Sequence, residues 1–453
     1  MDKFFGITKS GSTVRTEIVA GITTFFTMAY IIFVNPSILS ATGMDRGGVF
    51  VATIIAAAVG TLIMGLVAKV PFAVAPGMGL NAFFAFTVCI GLGFKWQEAL
   101  AMVFICGIVN IIITVTKLRK AIIRAIPKSL QFAIGGGIGL FIAYIGFINA
   151  GIIKISGAVP ALTYFNEADH GSLLTLIGLV IMVVLMMLKV KGALLIGIVA
   201  ATVIGIPMGI TQVPAKLFDM SALSGISEVS FAFFGDPGFA SLFSGGRGLL
   251  TLIIIFAFSL TDTFDTIGTF IGTGRKSGIF DEADEKAMSE AKGFKSKLDK
   301  ALFADATATS IGALFGTSNT TTYIESASGI AEGGRTGFTS VVVAALFLVC
   351  LPLVSLFGMA PAQATAPALI IVGILMAESF KNIRWDELHE SIPAFFTVAI
   401  MAFAYNISYG IAAGFIFYII VKICKKQAAE IHPLLIGATL LFVVYFVLMA
   451  ITG

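Results

Sequence analysis

Fourteen long apolar segments follow one another along this chain, and they constrain its fold more than any other feature. Crossing a bilayer core of about 30 Å takes about 20 apolar residues in a helix. Charged residues make up 12% of the 453 residues, whereas soluble domains carry about 25%. The sequence therefore predicts an all-α polytopic membrane protein without a soluble domain. The segments are roughly 16–39, 49–68, 77–91, 98–116, 130–150, 173–188, 192–210, 249–272, 301–315, 323–331, 337–357, 364–380, 392–423 and 433–451.

Segment 392–423 is long enough for either one tilted helix or a hairpin broken near Asn406. The chain therefore has fourteen or fifteen elements, and the side of the C-terminus stays open. The polar, basic residues 1–17 are not followed by a short apolar core with a small-residue cleavage site. We therefore predict no removable signal peptide.

Basic residues are concentrated in the connections that share one side of the membrane with the N-terminus. Cytoplasmic loops carry an excess of Lys and Arg, so this distribution predicts a cytoplasmic N-terminus in the plasma or inner membrane. The stretch 211–247 is expected along the outer face, joining two halves of the chain. The basic clusters are Lys117, Arg119 and Lys120 with Arg124 and Lys128, then Lys189 and Lys191, the loop 275–300, and 422–426.

Two segments are interrupted by turn-forming and polar residues. One begins AVAPGMGLNAFFAF around residue 77, and the other, at 316–334, begins GTSNTTTYIES. Lipid cannot satisfy irregular backbone, which is tolerated only where protein or a water-filled cavity supplies partners. Paired interrupted segments in two halves of a chain are the best sequence indication of a transporter's binding site.

Weak similarities between the two halves favour an inverted seven-plus-seven repeat. Pro127 precedes Gly139 by the same spacing as Pro361 precedes Gly373. The run AAAVGTLIMG also loosely resembles TATSIGALFG, and each run leads into an interrupted segment.

Carboxylates inside apolar segments are the candidate functional groups. Asp262 and Asp265 lie in the eighth segment, and Glu325 lies in the tenth. Acidic groups are costly in a bilayer and by default mark a substrate or ion pathway. Asp262, Asp265 and Thr269 share one helix face because they are three and four residues apart. The simpler alternative is a buried polar contact that locks two helices together.

Glu325, if ionised, could accept hydrogen bonds from neighbouring N–H groups of a flat heterocycle such as guanine. Asn81 could bind a carbonyl or ring nitrogen, or could satisfy the backbone of a broken helix. Desolvation favours a protonated carboxylate and nearby donors favour an ionised one. Asp265, close to that balance, could load and release a proton; Asp262 could share this role or simply bond to a neighbouring helix.

Aromatic residues near these acids could stack on a ring. Phe83, Phe84, Phe264 and Tyr323 are candidates, although the chain has 41 Phe and ordinary packing explains any one of them. Thr320, Thr321 and Thr322 are interpreted as partners for strand-like backbone.

Three motifs resemble the AzgA-like purine permeases of the nucleobase–cation symporter superfamily. They are APGMGLNAFF at 75–84, FDTIGT at 264–269 and NTTTYIES at 319–326, and RTEIVAGITTFFTMAYIIFVNP at 15–36 also resembles the first helix of that family. Thr269 stands where the related uracil permeases have a His, so this chain departs from their pattern at that position. The Asn-x-Gly signature of the xanthine and uric-acid branch is absent at Asn319.

The resemblance implies fourteen elements in two inverted repeats, with short antiparallel strands in elements three and ten. It implies a core domain from 16–116 and 248–357, and a gate domain from 117–247 and 358–453. It also implies proton-coupled uptake of hypoxanthine, guanine or adenine, often in a homodimer. The predicted substrate-binding residues are Glu325, Asp265, Asn81, Ile324, Phe264 and Thr269, and the predicted proton-coupling residues are Asp265 and Asp262.

Three other functions fit the sequence less well than purine transport. An inorganic anion exchanger of the same broad architecture would not need two buried acids facing its anion. An intramembrane enzyme would need a paired nucleophile and base or a ligand cluster, and the sequence contains neither. A channel favours a continuous pore over two broken segments. We expect no enzymatic activity, cofactor, metal or nucleic-acid partner.

Overall fold

The computed structural model describes residues 2–116, 125–156, 159–163, 170–214, 220–275, 277–280 and 296–452. Three predicted features lie partly outside these residues. They are the basic cluster that begins at Lys117, of which residues 117–124 are not described, the loop 275–300, and the stretch 211–247.

Among the described residues, the first half of the chain contains eight main helices and three strands. They are α1 (Val14–Met28), α2 (Ile31–Leu39), α3 (Arg46–Ile63), β1 (Val74–Pro76), α4 (Met78–Ala82), α5 (Trp96–Val115), α6 (Lys128–Asn149), β2 (Ile153–Ser156), β3 (Val159–Leu162), α7 (His170–Met187) and α8 (Ala193–Gly205). Wider π-type turns continue α3 over Met64–Ala68 and α4 over Phe83–Gly91.

The second half continues the same plan. It contains α9 (Gly248–Thr269), α10 (Lys297–Phe315), β4 (Thr320–Thr322), α11 (Ser326–Ala331), α12 (Gly337–Val349), α13 (Val354–Gly358), α14 (Ala362–Ala377), α15 (Leu388–Phe403), α16 (Ile407–Cys424) and α17 (Pro433–Thr452). Within the described residues, nine helical stretches are long and apolar enough to cross a membrane, and shorter apolar helices lie between them. The prediction of an all-α polytopic membrane protein is confirmed.

The thirteenth apolar segment is a hairpin and not one tilted helix. Helix α15 ends at Phe403, and α16 begins after Asn406, whose side chain caps it by accepting a hydrogen bond from Tyr409 N at 3.1 Å. Tyr405 between them has a φ of 54°. Helix α17 then follows as one further apolar helix. The hairpin corresponds to the alternative with fifteen elements.

The two interrupted segments cross as a pair of antiparallel strands, as the resemblance implied. Val74 pairs with Thr322, Ala75 with Thr321, and Pro76 with Thr320. The pairing extends at both ends, because Gly77 N donates to Asn319 O and Tyr323 N donates to Ala73 O, each at 2.9 Å. Backbone groups that lipid would leave unpaired are thus satisfied by the partner strand.

Threonine hydroxyls on the preceding helices hold each strand in place. On α3, Thr61 Oγ1 both donates to Val74 O and accepts from Val74 N, at 2.9 Å in each case. On α10, Thr309 Oγ1 donates to Thr320 O at 2.8 Å. The same device in both halves is consistent with the predicted repeat.

Glycines that the repeat pattern matched are in direct contact where α6 crosses α14. A Cβ atom added to Gly139 would lie 2.9 Å from the carbonyl oxygen of Gly373. One added to Gly373 would lie 2.5 Å from the carbonyl oxygen of Gly139. The reciprocal contact lets the two backbones approach closely, as small residues do between membrane helices.

The described part of 211–247 packs against α5 and α10. Phe231 N donates to Leu314 O at 2.7 Å, in the last turn of α10. Phe233 is fully buried, with its ring centroid 5.2 Å from that of Phe104 on α5. The position of this stretch on the outer face stays a prediction.

Candidate functional site

Asp265 is an accessible acid on α9. Its side chain is exposed although it lies in the membrane-spanning part of α9. Gly268, next on that face, is also exposed, and a Cβ atom there would meet nothing within 4 Å. From the crossing segment, Ile324 is 60% exposed and Glu325 is partly exposed.

Asp265 and Glu325 lie close enough to interact electrostatically. Tyr30 and Tyr323 each lie within electrostatic range of both carboxylates. The two acids that the sequence singled out, 60 positions apart along the chain, are therefore brought to one region. The Thr321 hydroxyl also interacts with Asp265.

Glu325 sits just before α11, at the N-terminal boundary of this six-residue helix. Tyr30 Oη donates a hydrogen bond to Glu325 Oε1 at 2.5 Å. Thr27 Oγ1 lies 3.5 Å from the Glu325 carbonyl oxygen. The first transmembrane segment, which is broken between α1 and α2, thus contacts Glu325 at both its carboxylate and its carbonyl oxygen.

The aromatic candidates separate into packing and cavity-edge residues. Phe83 and Phe84 are fully buried, and Phe83 packs on Phe258 with ring centroids 4.6 Å apart. The Tyr323 hydroxyl donates to Pro76 O at 2.6 Å, which ties the crossing segments together. Phe264 is partly exposed beside Asp265, so it is the aromatic candidate best placed to contact a ligand.

Asn81 and Thr269 are both buried and do not belong to the exposed set. Asn81 Oδ1 accepts a hydrogen bond from Ser318 Oγ, which links α4 to the segment before β4. The Nδ2 group of Asn81 is buried without a hydrogen-bond partner. Asn81 therefore keeps the two N–H donors of its amide group unpaired beyond its structural contact, and its substrate role stays a prediction.

Asp262 is fully buried and contacts two neighbouring helices. Its Oδ2 atom accepts from Asn110 Nδ2 on α5 at 2.8 Å and lies 3.3 Å from Thr309 Oγ1 on α10. Its Oδ1 atom has no hydrogen-bond partner. These contacts favour the helix-bonding alternative for Asp262, and its part in proton coupling stays a prediction.

Asp305 is a buried carboxylate that our sequence reasoning missed. Thr266 Oγ1 donates to its Oδ2 atom and Thr322 Oγ1 donates to its Oδ1 atom, each at 2.7 Å. Thr266 follows Asp265, and Thr322 precedes Glu325 by three residues. Asp305 therefore joins the two elements that carry the site acids. The position of this carboxylate within the apolar segment 301–315 could have identified it from the sequence.

Another intramembrane acid has a purely structural environment. Glu17 is fully buried, and its carboxylate accepts from the backbone N–H groups of Arg335, Thr336 and Thr339 and from the Thr339 hydroxyl. These contacts fix the start of α12. Among the described residues, no group of three or more His, Cys, Asp or Glu side chains could hold a metal ion.

Comparison with known proteins identifies the family of this chain. The family model Xan_ur_permease, described as "Permease family", matches residues 15–413. The chain belongs to this permease family. The resemblance inferred from the three motifs is therefore confirmed.

Individual members of this permease family match over nearly the full chain. Guanine/hypoxanthine permease PbuO of Bacillus subtilis is 44% identical, over 97% of this chain and 98% of its own. Guanine/hypoxanthine permease PbuG of the same organism is 40% identical, over 99% of each chain. Adenine permease AdeP of Escherichia coli is 39% identical, over 99% of this chain and 96% of its own.

Solved structures with the same fold come from more distant proteins. The transmembrane domain of the cyanobacterial bicarbonate transporter BicA matches with a TM-score of 0.60 at 17% identity, over 92% of this chain and 97% of its own. SLC26A9 matches with a TM-score of 0.58 at 11% identity, over 91% of this chain and 66% of its own. At these identities the similarity concerns the fold alone.

Proposed function

We propose that this permease is a proton-coupled symporter that imports purine nucleobases: hypoxanthine, guanine or adenine. The observation that supports the proposal is the approach of two accessible acids from different elements, Asp265 on α9 and Glu325 after β4. The names of PbuO, PbuG and AdeP support the substrate class.

Glu325 is proposed to bind the base. One oxygen accepts from Tyr30, and the carboxylate is partly exposed, so it can also accept from ring or exocyclic N–H groups. Charge-assisted hydrogen bonds of this kind contribute about 1.5–3 kcal/mol each. Phe264 and Ile324 would contact the ring of the base. Asn81 and Thr269, which are buried, would complete the substrate-binding set that the sequence predicts.

Asp265 is proposed to carry the coupled proton. It is exposed, so it can exchange a proton with water that reaches it. Among the described residues, no cation is within salt-bridge distance of its carboxylate. Proton binding at Asp265 would lower the net negative charge beside Glu325, which links the proton to substrate binding.

Transport would occur by movement of the core domain (16–116 and 248–357) against the gate domain (117–247 and 358–453). We further propose a plasma- or inner-membrane location with a cytoplasmic N-terminus, a homodimeric assembly and no enzymatic activity. The excess of basic residues on the N-terminal side supports the orientation. Permease relatives over the whole chain support a transporter without catalysis.

Uptake into proteoliposomes tests the function. We expect an inward pH gradient to drive accumulation of radiolabelled hypoxanthine, with competition from adenine and guanine but not from uracil, and loss of accumulation with a protonophore. Transport of bicarbonate or chloride with no purine uptake would instead support the anion-transporter alternative and refute the proposal.

Two variants separate the proposed roles. Glu325→Gln should abolish or strongly weaken purine binding, because an amide cannot offer two anionic acceptors. Asp265→Asn should leave binding largely intact while uptake no longer responds to the pH gradient. Asp386→Asn, at an exposed acid between α14 and α15, is the matched control for Asp265→Asn. Glu332→Gln, at the other end of α11, where the carboxylate pairs with Lys191, is the matched control for Glu325→Gln. Normal binding by Glu325→Gln, or unchanged gradient-driven uptake by Asp265→Asn, would refute the corresponding role.

A further inference from the structure

We propose that Tyr30 is a positioning residue for purine recognition, which orients the Glu325 carboxylate and keeps it in the form that accepts hydrogen bonds from the substrate. The inference rests on the proposed function and extends it to a residue on element one. Neither the acidic motifs nor the interrupted segments point to this residue.

Tyr30 is rigidly held. It lies at the break between α1 and α2 and is 1% exposed. Its carbonyl oxygen accepts from Phe33 N at 3.0 Å and from Val34 N at 3.1 Å, so the start of α2 fixes its backbone. A buried ring on a fixed backbone presents its hydroxyl group at a defined point.

The hydroxyl group of Tyr30 reaches one oxygen of the carboxylate. The distance from Tyr30 Oη to Glu325 Oε1 is 2.5 Å, within the range of about 2.5–2.7 Å typical of an O–H donor on a charged oxygen. Within the described part of the chain, this is the side-chain hydrogen bond made to the Glu325 carboxylate. The bond fixes Oε1 and leaves Oε2 for a ligand.

Holding the carboxylate before the substrate arrives has two consequences. Less side-chain freedom is lost when the base binds, which improves affinity. The donated hydrogen bond also favours the ionised carboxylate over the protonated one. The other titratable groups that face Glu325 are Asp265 on α9 and Tyr323 on its own segment, and the Tyr323 hydroxyl is already committed to Pro76 O.

The test is equilibrium binding of radiolabelled hypoxanthine to the purified full-length protein, measured between about pH 5 and about pH 8. Tyr30→Phe should weaken binding about tenfold or more at neutral pH. The acid limb of the binding curve is its low-pH side, on which protonation of Glu325 weakens binding. This limb should move to higher pH in Tyr30→Phe, because the ionised Glu325 carboxylate loses a hydrogen-bond donor. Tyr445→Phe, which removes a hydroxyl near Tyr409 away from the site, should change neither quantity.

A second substitution protects the test against a folding defect. Replacing Tyr30 with 3-fluorotyrosine preserves the ring and gives a more acidic phenol, which is a stronger donor. The acid limb should then move to lower pH, opposite to the shift in Tyr30→Phe. Limbs that stay at the wild-type pH in both proteins would overturn the inference.

The combined variant Tyr30→Phe/Glu325→Gln shows whether Tyr30 acts through the carboxylate. At hypoxanthine concentrations high enough to measure the residual binding of Glu325→Gln, we expect the combined variant to bind no more weakly than Glu325→Gln alone. Equal weakening by Tyr30→Phe in both backgrounds would overturn the positioning role while leaving the proposed function intact. Normal purine binding by Glu325→Gln would instead refute the proposed site itself, and Tyr30 with it.

Discussion

At the scale of single residues, the buried acids differ in how completely their oxygens are occupied. Glu17 and Asp305 each have both oxygens engaged by protein donors. Glu325 has one oxygen held by Tyr30 and is partly exposed, and Asp265 is exposed. Asp262 also keeps Oδ1 without a partner, but it is fully buried. Among these acids, Glu325 and Asp265 therefore combine free acceptor atoms with accessibility, which a ligand needs.

Glu17→Gln should act on stability and not on recognition. An amide turns an NH₂ group toward backbone N–H donors at the start of α12, which leaves buried donors unpaired and costs about 1–3 kcal/mol. We expect a lower melting temperature, with unchanged hypoxanthine affinity of the folded protein. Glu332→Gln, at an acid paired with Lys191 on the surface, should leave the melting temperature nearly unchanged. Equal destabilisation by both would contradict this assignment.

Asp305→Asn should weaken purine binding although Asp305 is 4% exposed. The neutral amide retains one acceptor atom, so one of the hydroxyls of Thr266 and Thr322 can no longer donate to a charged oxygen and must accept from the amide Nδ2 group instead. The charge-assisted hydrogen bonds that hold the two site segments are thereby weakened. We expect affinity to fall about tenfold, equivalent to about 1.4 kcal/mol, in an equilibrium binding measurement. An affinity equal to that of the exposed control Asp386→Asn would show that the bridge does not position the site.

Sequence reasoning singled out the candidate residues whose chemistry is unusual for their surroundings. Asp265 and Glu325 could be predicted because a charge in an apolar segment is costly. Tyr30 could not, because a tyrosine in an apolar segment is ordinary and its partner lies 295 positions away. Whether Phe83 packs on Phe258 or faces a ligand likewise depends on long-range packing.

At the scale of elements, the two interrupted segments predicted the crossing, and the fold supplied its register. Gly- and Pro-rich sequence indicates where a helix must stop. It does not indicate that Val74 faces Thr322, since that pairing joins distant parts of the chain. The break at Asn406 stayed ambiguous for a related reason, because an apolar run of that length suits both one tilted helix and a hairpin.

The contact between α6 and α14 gives a prediction at this scale. Gly139→Ala would place a methyl group 2.9 Å from Gly373 O and force the helices apart, at a cost of about 1–3 kcal/mol. Gly135→Ala, one turn earlier, would lie 3.5 Å from Ser379 Oγ, an ordinary contact. Thermal unfolding in detergent should show a lower melting temperature for Gly139→Ala alone. Matching melting temperatures would contradict close packing at this crossing.

At the scale of the whole molecule, the proposed transport cycle requires the core to move against the gate. Ser37 on α2 and Thr365 on α14 face each other across that boundary, with their hydroxyl oxygens 3.4 Å apart. A Ser37→Cys/Thr365→Cys protein, with Cys424 replaced by Ala, should stop transporting hypoxanthine when oxidised and recover when reduced. Binding should survive oxidation. Full transport by the cross-linked protein would contradict movement at this boundary.

The most direct test of the whole account is the binding of radiolabelled hypoxanthine, guanine and adenine to the purified protein, compared between wild type and Glu325→Gln. The account predicts saturable binding of at least one of these bases by wild type and its loss in Glu325→Gln, with Glu332→Gln binding normally. Binding of equal affinity in wild type and Glu325→Gln would contradict it.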